Sequence, residues 1–127
     1  MKSDEFVKKI SDRAEVSGGQ AQSAALSTLA VLGERLEAGE ARDLASQLPE
    51  DLAGPLVQAT GTGEPFSARD FVERVADREE IAPNDADKRV RAVFATLQEA
   101  VTAGQLEDVL SQLPVEYLEL FSGTHSP

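Results

Sequence analysis

Cysteine is absent from this chain. Disulfides, thiolate nucleophiles and cysteine-held metals are therefore excluded. Histidine is almost absent: the single one, His125, sits in the tail SGTHSP. A side chain so near the end of the sequence is not expected to be held in the fixed geometry that general acid–base work requires. Basic residues are scarce as well, with 12 Lys and Arg against 23 Asp and Glu and a net charge of −11. Phosphate backbones and anionic lipid repel such a chain, so neither nucleic acid nor a membrane is an expected partner. Long hydrophobic runs are missing too. The start, MKSDEFVKKISDR, contains no uncharged apolar run and does not read as a secretory signal. The longest charge-free stretch, Val16 to Gly33, is broken by Ser, Gln and Gly and is too polar to span a bilayer. A soluble, cytoplasmic protein without a cofactor is the resulting expectation.

What is present is a repetition. The tetrapeptide Ser-Gln-Leu-Pro occurs at 46–49 and again at 111–114. Shifting the chain by 65 residues also superposes Phe6-Val7 on Phe71-Val72, Asp12-Arg13 on Asp77-Arg78, Ala38-Gly39 on Ala103-Gly104 and Asp43 on Asp108. Alanine, leucine and glutamate identities at Ala30, Leu32 and Glu34 fall in the same ungapped register, which runs from residue 6 to residue 56. The chain reads as a tandem duplication. Repeat 1 covers 1–58, a Gly/Thr/Pro linker covers 59–65, repeat 2 covers 66–122, and 123–127 reads as a flexible tail. A unit of that size is marginal alone, so the halves are expected to form one domain around a pseudo-two-fold axis.

Each repeat reads as helices. Phe6, Val7 and Ile10, like Phe71, Val72 and Val75, share one face of a first helix. The stripe Ala25, Leu29, Leu32, Leu36 and its counterpart Val90, Phe94, Leu97, Val101 follow helical spacing in a long second helix. Gly39 and Gly104 suit a helix C-terminus, and a short third helix follows, opened by Asp43 or Asp108. Ser-Gln-Leu-Pro is then a corner: proline disfavours helix for the leucine before it and suits the first turn of a new helix. No convincing strand alternation appears. The fold class is all-α, a compact bundle of two tandem helical repeats.

Chemistry-bearing constellations are thin. Asn84-Asp85-Ala86-Asp87 lacks the glycine of a calcium loop and reads as a helix N-terminus capped by Asn84. Gly61-Thr62-Gly63 lacks the lysine of a phosphate loop. Glu79-Glu80 reads as solvated surface. Lys88, Arg89 and Arg91 form a basic cluster diluted by Asp85 and Asp87. The duplicated charges suggest two ion pairs, Arg13–Asp43 and Arg78–Asp108, tying the first helix to the third in each repeat. The first long helix is the other distinctive feature. Its back, around Leu26, Ser27, Ala30 and Val31, is small and uncharged, and is either covered inside the chain, a face that meets a protein partner or a second copy, or simply a bland exposed face.

The doubled pattern F-V-x-[RK]-[VI]-x-D-R, then a long helix ending in A-G-[EQ], then D-[LV]-x-[SQ]-Q-L-P-x-[DE]-[LY] resembles the bacterial "domain of unknown function 2267" family over nearly the whole chain. The resemblance implies a compact helical protein and carries no activity to transfer. The sequence points to a non-enzymatic interaction or accessory protein. The competing reading is a small-ligand binder or enzyme using arginines and carboxylates between the repeats.

Overall fold

A computed structural model describes residues 1–58 and 63–122. Residues 59–62 of the expected linker, and the expected tail with His125, lie outside the described residues. The described residues are helical, with no strand among them: α1 Ser3–Ala14, α2 Gly18–Arg35, α3 Ala38–Ala45, α4 Glu50–Gln58, α5 Ala68–Glu79, α6 Pro83–Ala100, α7 Ala103–Ser111, a 3-10 turn Val115–Tyr117 and α8 Leu118–Phe121. α1, α2 and α3 begin 65 residues before α5, α6 and α7.

The same boundaries are made by partly different chemistry. α1 and α5 each end on a glutamate in the left-handed region, Glu15 at φ 59° and Glu80 at φ 57°. That region costs a non-glycine residue about 1 kcal/mol. The cost is offset by backbone bonds closing the helix end, Val16 N–H to the Ser11 carbonyl (3.2 Å) and Ile81 N–H to the Ala76 carbonyl (3.1 Å). Val16 and Ile81 then tuck against the core. α2 starts with a reciprocal capping box between Ser17 and Gln20. α6 starts at the same register with Pro83 in its first turn and Ala82 as the cap. Asn84 is thus inside α6 rather than its cap.

Gly39 and Gly104 also depart from expectation. The long helices stop at Arg35 and Ala100, with Leu36 and Val101 extended, and both glycines lie in the first turn of α3 and α7. Asp43 and Asp108 accordingly sit well inside the third helices instead of opening them.

The buried side chains form one continuous cluster fed by both repeats. Phe6, Ile10, Leu29, Leu32, Leu52 and Leu56 fill it from the first half and are fully buried. The second half is aromatic. Phe71 packs on Phe94 at 5.3 Å and edge-on against Tyr117 at 5.9 Å, and Phe94 stacks on Phe121 at 4.1 Å. α1 packs against both α2 and α6, and α5 against both α6 and α2; α3 meets α7. Each first helix thus lies between the two long helices.

Candidate functional site

That packing decides where the duplicated charges go. Arg13, late on α1, faces α6. Its guanidinium meets Glu99 at 2.5 Å and donates to the Thr96 hydroxyl at 2.8 Å, while Lys9 reaches Glu99 at 3.3 Å. In the other half Arg74 meets Glu34 at 3.0 Å and Arg78 lies 3.9 Å from it. Lys9 and Arg74, Arg13 and Arg78, Glu34 and Glu99 are equivalent pairs in the 65-residue register. Each half's basic residues therefore hold the other half's glutamate. The expected pairs Arg13–Asp43 and Arg78–Asp108 are not made, because the first helix turns its cations to the opposite long helix and not to its own third helix. The Arg13 hydrogen bond, with Lys9 assisting, holds the Glu99 carboxyl below its ordinary range.

Asp43 and Asp108 act through their main chains: their carbonyls accept from the Ser46 and Ser111 hydroxyls, both at 2.6 Å. Their carboxylates lie near Glu40, whose own carboxyl is pushed up by burial first and then by Asp108 and Asp43.

Ser-Gln-Leu-Pro now has a part for each residue. The serine closes the third helix, the leucine is buried, and the proline precedes the next helical segment. The glutamine crosses the seam. Gln47 accepts from the Thr102 N–H at 2.8 Å, and Gln112 accepts from the Glu37 N–H at 3.0 Å. Thr102 and Glu37 are the residues preceding α7 and α3, so each glutamine satisfies the exposed N-terminal amide of the other half's third helix. Gln105 completes the seam by donating to Glu40, its own repeat equivalent.

The small, uncharged face of the first long helix is covered within the chain. Ala30 and Val31 are buried, and Leu26 and Ser27 are half-buried. α5 lies on this face. Ser27 and Ser23 donate to one Glu79 carboxylate oxygen at 2.6 and 2.7 Å, and Arg89 lies 3.7 Å from the other. The Glu79 side chain is only 5% exposed, so it is not the solvated surface group its position beside Glu80 suggested. Leu26, Ser27, Ala30 and Val31 therefore do not form an exposed partner face: their smallness admits Glu79.

An open concavity remains in the second repeat, a groove of about 520 Å³ between α5, the start of α6 and the chain around α8. Ala68, Val72 and Leu120 supply its apolar side chains. Arg69, Glu73, Asp87, Arg91, Glu116 and Glu119 supply its charge. Arg91 is committed, donating to Asp87 at 2.8 Å and to the Glu119 carbonyl at 2.9 Å. Arg69 pairs with Glu73 at 3.3 Å. Sequence reading dismissed Arg91 with its neighbours as a diluted basic cluster. It missed the groove because Glu116 and Glu119 come from chain nearly thirty residues away. The equivalent concavity exists in repeat 1, about 540 Å³, lined by Ser3, Asp4, Val7, Gly18, Gln22 and Asp51. Each of those positions plus 65 is a lining position of the second groove.

The family described as "Uncharacterized conserved protein (DUF2267)" matches residues 3–120. The chain belongs to the DUF2267 family. The match takes in all of α1 to α7 and nearly all of α8, so both halves of the seam and both grooves are family territory. No curated protein matches the chain. Among the described residues of this DUF2267 protein, no helix is long and apolar enough to cross a membrane.

Proposed function

We propose that this protein works by binding, as a non-enzymatic interaction or accessory module, and that it binds through the groove between α5, α6 and α8. The observation that supports this reading is the groove itself: a concavity lined by charged and a few aliphatic side chains, open to solvent. The seam offers less. Arg13, Arg74 and Arg78, the cations a ligand between the repeats would use, are already engaged by Glu99 and Glu34. The charge-free face of α2 is occupied by Glu79.

Amide chemical-shift mapping against mixed pools of peptides and small metabolites tests the reading. Perturbations are expected at 68–73, 83–91 and 116–120. Perturbations centred on α3 and α7 would overturn the assignment of the site. Consumption of a pooled compound during the experiment would overturn the non-enzymatic reading.

A further inference from the structure

We propose that the groove of repeat 2 receives a basic, amphipathic segment of a partner protein, an inference that rests on the binding reading above. The charge selects the sign of the occupant. Two arginines against four carboxylates leave the rim two charges negative. Arg91 is tied to Asp87 and Glu119 and Arg69 pairs with Glu73, so the carboxylates outnumber the cations and an incoming lysine or arginine finds acceptors. Glu116 is exposed and makes no ion pair among the described residues.

The apolar surface selects a polypeptide over a bare polycation. Ala68, Val72 and Leu120 line the groove but are themselves nearly buried, so most of the accessible aliphatic surface lies beside it. Immediately beside Glu116 and Glu119 in the chain are Val115, 78% exposed, and Leu118, 48% exposed. These are two of the four large hydrophobic side chains left exposed among the described residues, and they stand three residues apart on one short helical run. A segment alternating basic and aliphatic side chains, as an amphipathic helix does, satisfies both features at once. Repeat 1 supplies the contrast. Its groove has Val7 as its one large apolar side chain, and the positions equivalent to Val115 and Leu118 are Glu50 and Ala53. The proposal is therefore for one site per chain.

The test uses the full chain and a fluorescein-labelled amphipathic leucine–lysine peptide, read by anisotropy and by amide shifts. Glu116→Lys should weaken binding roughly tenfold, the effect of about 1.4 kcal/mol from reversing one rim charge. Asp51→Lys makes the same change at the equivalent place in repeat 1 and should leave affinity within about twofold. Val115→Asp should also weaken binding. Equal loss in the Glu116 and Asp51 variants would overturn the proposal, since attraction would then be that of an acidic surface in general. Spermine binding the groove as tightly as the peptide would overturn it in favour of a small polycation. If a leucine–glutamate peptide or a neutral compound shifts the groove amides and the leucine–lysine peptide does not, the binding reading stands and the ligand class falls. If nothing shifts them, both fall.

Discussion

Thr28 is the place where this fold should be easiest to improve. Its side chain is fully buried in the middle of α2, and its hydroxyl oxygen has no hydrogen-bond partner. A buried hydroxyl left unpaired costs about 1–3 kcal/mol. Valine has nearly the same shape without the hydroxyl, and at the equivalent position of α6 the chain already uses Val93, also fully buried. Thr28→Val should therefore raise the unfolding free energy by about 1–2 kcal/mol. For a chain of this size each kcal/mol corresponds to ~4 °C in Tm, so the gain is roughly 4–8 °C.

Thr96 provides the control of opposite sign. It too is fully buried, but it donates to the Ala92 carbonyl at 2.8 Å and accepts from Arg13 at 2.8 Å. Its repeat equivalent is Val31, so Thr96→Val is the mirror exchange. It should cost about 1–2 kcal/mol, since an Arg13 donor loses its acceptor. Urea unfolding followed by circular dichroism, with the slope unchanged, measures both. A neutral or destabilised Thr28→Val, or the same sign for both variants, would refute the reasoning that pairing of these hydroxyls decides the outcome.

Three further outcomes follow from the geometry. Glu79→Leu strands Arg89, which is 12% exposed, together with two serine hydroxyls; it should cost about 3 kcal/mol by the same unfolding assay, and Arg89→Leu in that background should recover part of it. Gln47→Ala and Gln112→Ala each leave a helix-end amide unpaired across the seam, so each should cost about 1 kcal/mol, and hydrogen exchange at Thr102 and Glu37 should speed up respectively. Tyr117 is the single tyrosine and there is no tryptophan, so ultraviolet absorbance titrates this phenol alone. Burial pushes its pKa from 10.0 up to about 12. Because the folded value is the higher one and the charged form is the deprotonated one, stability is retained below pH 10 and lost as pH rises from there towards 12. A phenol titrating near 10 in the folded protein would contradict its burial and its hydrogen bond to the Phe66 carbonyl at 2.8 Å.

The fold was largely legible because similar residue patterns occur twice in the sequence, 65 residues apart. Apolar stripes such as Leu29-Leu32 and Phe94-Leu97 mark helices individually, and agreement between copies confirms the register. The ends of helices were less legible. Gly39 and Gly104 carry no positive φ and serve as small first-turn residues, whereas Glu15 and Glu80 take the left-handed cap that glycine usually fills. The charged contacts were hidden for a topological reason. Pairing Arg13 with Asp43 assumes that a repeat closes on itself, and here each first helix packs against both long helices, placing Glu99 beside Arg13. The duplicated Glu34 and Glu99 were the signal that could have found it. The quiet face of α2 was seen in sequence, but Glu79, 52 residues from Ser27, decides its meaning.

The reciprocity of the seam also bears on how the two halves hold together. When each half gives the other what it receives, the contacts are of the isologous kind that join two identical subunits. Because both halves lie on one chain, these contacts form intramolecularly, at an effective concentration in the millimolar range. The halves are nonetheless not identical. Gln105 donating to Glu40 is a contact that identical halves could not make, and exposed Val115 stands where the first half has Glu50. The two halves share a pattern of contacts and differ at the surface, which gives the molecule a front and a back.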